Sequence, residues 1–96
     1  MSGSQATAPD ETPVTTAVTM YTTPWCGYCV RLKKMMQLEG IEFAEVDIER
    51  DPAAADIVMK ANGGNQTVPT LVYADGTSQT NPSLAQVKAK LAELGA

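Results

Sequence analysis

Two cysteines stand three positions apart in Pro24-Trp25-Cys26-Gly27-Tyr28-Cys29, and the 96-residue chain has no others. A bridge between them closes almost no loop and would stabilise the fold little, so their closeness calls for a chemical reason. A thiol becomes a strong nucleophile as its thiolate, an anion that the free N–H groups and positive dipole end of a helix N-terminus stabilise. At the start of a helix, Cys26 is the attacking thiol. Cys29, about one turn along, points toward the core and reaches a sulfur attached to Cys26. The chemistry is thiol–disulfide exchange, in which one thiol attacks and the other resolves. Gly27 is read as letting the backbone turn without crowding the sulfur, and Trp25 as a flat apolar surface beside it.

Other uses of Cys-x-x-Cys have to be weighed. A structural zinc site needs four ligands, and this chain offers two thiolates and no histidine. Inert core cysteines are common, since free Cys is among the most buried residue types. A strand before the pair and a helix beginning on it favour the redox use. The absence of histidine also removes Ser-His-Asp and Cys-His catalysis.

The elements that must position the pair follow from periodicity and punctuation. The β-branched run from Val14 to Thr23 alternates Val18 and Met20 with Thr19 and Tyr21, and ends at Pro24 as a first strand. A helix then carries Cys29, Leu32 and Met36 on one face, with Arg31, Lys33 and Lys34 as a solvated basic face, and Gly40 closes it. Ile41 to Glu49 reads as a second strand. Asp51-Pro52 caps a second helix with Ala54, Ile57, Val58 and Ala61 as its apolar face, stopped by Asn62-Gly63-Gly64. Thr67-Val68-Pro69 precedes the strand Thr70 to Tyr73, an Asp75-Gly76 turn and a polar edge strand over Thr77 to Gln79. The last helix starts at Asn81-Pro82 or at the capping box Ser83 to Gln86, and buries Leu84, Val87, Leu91 and Leu94. The order βαβαββα predicts an α/β domain over residues 14–96, a mixed four-stranded sheet with helices on both faces. Residues 1–13 are rich in small, polar and acidic types and are expected to form a disordered tail.

Seven Lys plus Arg against eleven Asp plus Glu give a net charge of -4, which offers no basic field for nucleic acid. No run approaches the ~20 apolar residues of a membrane span, and the N-terminus has neither a basic nor an apolar leader segment. A cytoplasmic monomer is expected.

Taken together, the strand, the Pro24 to Cys29 motif, the helix and Thr67-Val68-Pro69 resemble a glutaredoxin-like protein of the thioredoxin superfamily, from Val14 to Ala96. Within it, YTTPWCGYCVRLK, NGGNQTVPTLVYADGT and TNPS are most similar to the mycoredoxins, mycothiol-dependent redoxins of actinobacteria. The resemblance implies a thioredoxin-like fold, a cis Pro69, and a Val68 backbone that pairs with an incoming cysteine peptide or thiol cofactor beside Cys26. Trp25, Gly27, Tyr28 and Thr67 border that position, and Thr80, Asn81 and Ser83 match the family's cofactor segment.

Ordinary glutaredoxins carry Cys-Pro-Tyr-Cys with a Lys three residues before it, and a later Gly-Gly-x-Asp-Asp-Leu that receives glutathione. Here Gly27 and Thr23 replace the proline and lysine, and Gln79 to Leu84 lacks the glycines and carboxylates. The resemblance therefore implies mycothiol as thiol co-substrate, mycothiolated proteins as partners, no metal and no tightly bound cofactor. Two alternatives stay open: a dithiol electron donor to ribonucleotide reductase, reduced by a thioredoxin-type reductase, and an iron–sulfur-carrying glutaredoxin.

Overall fold

A computed structural model of the chain describes residues 17–95. The expected tail over 1–13 and the start of the first strand at Val14 lie outside the described residues. Strand β1 (Val18–Thr22) is followed by α1 (Gly27–Leu38), β2 (Ala44–Asp47), α2 (Pro52–Ala61), β3 (Thr70–Tyr73), β4 (Ser78–Thr80) and α3 (Leu84–Glu93). The sheet order is β2-β1-β3-β4. β1 and β2 run parallel, with Thr19 opposite Ala44, because α1 carries the chain back across the sheet; the β1–β3 and β3–β4 pairs are antiparallel.

Strand alternation divides the core into two halves. Val18 and Met20 of β1 and Leu71 and Tyr73 of β3 meet Leu32 and Met36 of α1 and Val87 and Leu91 of α3. On the other face Tyr21 packs with Ile48 and with Ala54 and Val58 of α2. Helices α1 and α3 thus share one face and α2 covers the opposite one, the expected thioredoxin-like layering.

Two strand starts and one helix face differ from the sequence reading, each for a local reason, and one helix start it left open is decided. The second strand begins at Ala44 and not at Ile41, because the Ile41 N–H closes α1 on Met36 O at 3.0 Å while Gly40 N–H bonds Gln37 O. Phe43 and Ile41 instead pack from the connection against the first core half. The edge strand begins at Ser78, since the Thr77 N–H is held in the turn by the Asp75 carboxylate at 3.0 Å. Of the two starts for α3, Ser83 is the cap, in a reciprocal box with Gln86. Finally, Ile57 is exposed: the narrow face of α2 that meets the sheet is the Ala54–Val58 pair, one turn apart.

Candidate functional site

Pro24 lies just beyond β1, and two residues later Cys26 is the N-cap of α1, with extended backbone angles (φ -87°, ψ 109°). Its N–H bonds Thr23 O at 3.3 Å and its carbonyl receives the Val30 N–H at 3.2 Å. Its sulfur accepts the Cys29 N–H at 3.1 Å, so one of the free donors of the helix start is aimed at the thiol. Both thiols are free. Cys29 is 2% exposed and Cys26 6%, so both thiols are buried and Cys26 is more sheltered than a helix-start position alone implies. Burial, followed by its hydrogen bond with Cys26, pushes the Cys29 thiol up to about 12, against a smaller opposing effect of the Thr23 backbone.

The shelter over Cys26 comes from a segment distant in sequence. The Cys26 thiol lies 3.7 Å from Val68 O, a length suited to a weak sulfur hydrogen bond. The Val68–Pro69 peptide is cis, and Pro69 is fully buried. On the outer side Trp25 and Tyr28 are 73% and 64% exposed, and the Trp25 indole N–H donates to Glu49 at 2.6 Å. Gly27 needs no left-handed backbone, and a Cβ there would meet nothing beyond its chain neighbours. The turn into the helix therefore does not require glycine.

A groove of about 520 Å³ runs beside Tyr28, between α1 and the start of α3, and is lined by Arg31, Asn81, Ser83 and Gln86 among others. It brings Tyr28, Asn81 and Ser83 together as candidate ligand contacts. Asn81 sits there with φ 46°, its N–H donating to Pro69 O at 2.7 Å. Thr80 directs its hydroxyl to the Asn62 side chain, and Gln79 is held by the Tyr73 hydroxyl at 2.6 Å. Thr23 belongs to a separate cleft of about 320 Å³ with Cys29, Lys33 and Glu45 on its walls. Its buried hydroxyl has no hydrogen-bond partner among the described residues.

Sequence reasoning missed Arg31 in the groove and the surface ion pair of Lys33 with Glu45 at 3.1 Å. The first was hidden because Arg31 comes from the helix opposite the cofactor segment. The second was hidden because the pairing joins α1 to β2.

Residues 18–78 match the glutaredoxin family model. The chain belongs to the glutaredoxin family. Members of that family are thiol–disulfide oxidoreductases, and Cys26 and Cys29 fit a Cys-x-x-Cys motif. A glutaredoxin-named protein of Mycobacterium tuberculosis is 54% identical over 81 residues, covering 84% of this chain and 96% of its own. Mycoredoxin 1 of Corynebacterium glutamicum is 46% identical over 77 residues, covering 80% and 95%. Among solved structures, the glutaredoxin of Methanosarcina mazei superposes with a TM-score of 0.69 at 21% identity, over 79% of this chain and 78% of its own. The glutaredoxin-like NrdH-redoxin of Escherichia coli gives 0.56 at 28% identity, over 66% and 79%. The fold of this glutaredoxin is thus the thioredoxin-like one. Among its described residues no helix is long and apolar enough to cross a membrane.

Proposed function

We propose that this glutaredoxin reduces mixed disulfides between protein cysteines and mycothiol, with mycothiol as electron donor. Two things support the cofactor assignment: the similarity to a mycoredoxin across four-fifths of the chain, and the groove beside Tyr28. Glutathione brings two carboxylates and an ammonium, whereas mycothiol presents an acetylated cysteine joined to sugar and inositol. Arg31 could meet one carboxylate, but among the described residues no Asp or Glu lines the groove to meet the ammonium, and an unpaired charge taken from water is costly. Asn81, Ser83, Gln86 and Tyr28 are neutral groups that donate to and accept from hydroxyls.

In the proposed cycle Cys26 thiolate attacks the mycothiol-side sulfur of the mixed disulfide. The old S–S bond breaks, the target cysteine leaves with the bonding pair and takes a proton from water, and mycothiol stays on Cys26. A second mycothiol thiolate then attacks the bound mycothiol sulfur, which returns Cys26 thiolate and releases mycothiol disulfide. Over the cycle the target sulfur passes from the disulfide to the thiol level and the incoming mycothiol sulfur from the thiol to the disulfide level, while the mycothiol first attached to the target stays in a disulfide throughout. The single observation that carries the exchange reading is the Cys26 sulfur at the helix start, with the Cys29 N–H at 3.1 Å and Val68 O at 3.7 Å. The experiment is turnover of one peptide capped with mycothiol or with glutathione, each with its own thiol and reductase.

A second reading rests on the place of Cys29 one turn from Cys26. Its thiol can displace mycothiol from Cys26 and leave a Cys26–Cys29 disulfide. A dithiol donor to ribonucleotide reductase, reduced by a thioredoxin-type reductase, would work through that disulfide.

A further inference from the structure

The run Asn62-Gly63-Gly64-Asn65 joins the end of α2 to Thr67-Val68-Pro69, and from sequence alone it only stops a helix. Gly63 and Gly64 have φ of 69° and 111°, a left-handed conformation that other residues adopt with strain. The reversal they make brings the two asparagines together, so that Asn65 Nδ2 donates to Asn62 O at 3.0 Å.

From this turn both side chains reach the loop beside Cys26. Asn65 Oδ1 accepts the Thr67 N–H at 3.2 Å and also the Thr67 hydroxyl. Asn62 Nδ2 donates to Val58 O at 3.0 Å and to Thr70 Oγ1 at 3.0 Å. The fully buried Thr70 hydroxyl in turn donates to Thr67 O at 2.7 Å. A hydroxyl has one proton, and because an Asn62 N–H occupies the Thr70 oxygen, that proton is directed at Thr67. The N–H, carbonyl and hydroxyl of Thr67 are thereby all fixed by the two asparagines, one of them through Thr70. Past Val68, the Asn81 N–H holds Pro69 O at 2.7 Å. Val68, between these anchors, faces Cys26.

We propose that Asn62 and Asn65 are positioning residues for thiol exchange: they clasp Thr67 so that the Val68 backbone is presented beside Cys26, and so set how well an incoming mixed disulfide binds. The proposal rests on the exchange reading given above. It separates binding from thiol reactivity, since a small alkylating agent needs no pairing with the Val68 backbone, and a loosened loop can only uncover Cys26 to it.

The test uses the full chain and steady-state turnover of a peptide capped with mycothiol, together with alkylation of Cys26 by iodoacetamide. Asn65 is exposed, so Asn65→Ala should fold normally, and Asn65→Asp keeps the acceptor for Thr67. Asn65→Ala is expected to raise KM roughly three- to tenfold, the range for one or two lost hydrogen bonds, with kcat within about twofold of the unaltered chain and the alkylation rate not lowered. Asn65→Asp is expected to restore KM. Asn62→Asp, which offers no donor to Val58 O and draws the Thr70 proton away from Thr67, should raise KM likewise, with thermal unfolding checked in parallel. Unchanged KM in Asn65→Ala, or an equal loss in Asn65→Ala and Asn65→Asp, overturns the clasp. So does a fall in alkylation that matches the loss of turnover. If the unaltered chain turns over only a peptide capped with another thiol, the mycothiol assignment fails, and the KM comparison made on that peptide still decides the clasp. No turnover with any capped peptide overturns both.

Discussion

The sulfur of Cys26 stands 3.7 Å from the carbonyl oxygen of Val68, a residue 42 positions later in the chain. Two separate elements therefore converge on one thiol: the start of α1 from one side and the loop before β3 from the other. A target sulfur that reaches Cys26 passes beside the Val68 backbone, and the mixed-disulfide step asks for only one protein thiol. Cys26→Ser is expected to abolish turnover with mycothiol, while Cys29→Ser retains it, measured as reductase-coupled rates on a mycothiol-capped peptide. Equal loss in both variants would favour the dithiol donor.

The Cys29 thiol should stay protonated and unreactive at neutral pH. Burial first, and then the bond with Cys26, holds the Cys29 thiol up at about 12 from an ordinary 9.0, so peptide-mass detection of alkylation should find Cys29 unlabelled at neutral pH while Cys26 is labelled. The same shift affects stability. The folded value lies above the unfolded one, so the contribution is full below pH 9 and is lost as pH rises to about 12. Burial raises Tyr73 into the same alkaline range, so the clean comparison is Cys29→Ser against the unaltered chain. The serine variant should lose less stability over that window.

At the acid end the sign reverses. Hydrogen bonds from Thr77 and from Lys90 hold the Asp75 carboxyl down at about 2 from an ordinary 3.8. A depressed acid stabilises the fold above its unfolded value, and that contribution disappears as pH falls from about 4 to about 2. Asp75→Asn should flatten the stability profile in this window, as read by urea melts at several pH values. The carboxylate is exposed and its partners lie at the surface, so the effect is expected to be small and to shrink with salt.

Ser83 combines two roles that substitution can part. Its oxygen accepts the Gln86 N–H at 3.1 Å as the cap of α3, and its own proton remains to be donated into the groove. Ser83→Ala should cost about 1 kcal/mol of stability and raise KM for mycothiol. Ser83→Asp, a good cap without a donor, should restore the stability alone. Recovery of both by aspartate would remove Ser83 from the ligand contacts.

The parts of this fold that were legible in the sequence are those governed by local rules. Cys29, Leu32 and Met36 recur at helical spacing and are the buried residues of α1. Asp51-Pro52 and the Ser83–Gln86 box mark two helix starts by their own hydrogen bonds. The misplaced start of β2 depended on the fate of a single N–H, that of Ile41, which a strand pattern does not encode. At the site, the cysteine pair and the Val68–Pro69 segment were identifiable by their types and by family resemblance. The groove was not, since Arg31 and Asn81 lie about 50 positions apart in the chain. Thr80 and Gln79 were matched to a cofactor segment by position alone, and only the fold shows their side chains turned to Asn62 and Tyr73.

The central claim, a site that accepts mycothiol in preference to glutathione, is tested most directly by one coupled assay of the purified full chain. The same peptide is presented capped with mycothiol, with mycothiol and its reductase as electron source, and then capped with glutathione, with glutathione and its reductase. Steady turnover with mycothiol and at least about tenfold lower kcat/KM with glutathione is the expected result, since a tenfold difference needs only ~1.4 kcal/mol, less than one unpaired ammonium costs. Equal kcat/KM with the two thiols would contradict the cofactor assignment. Turnover with neither, alongside rapid reduction of a Cys26–Cys29 disulfide by thioredoxin reductase, would replace it with the dithiol-donor reading.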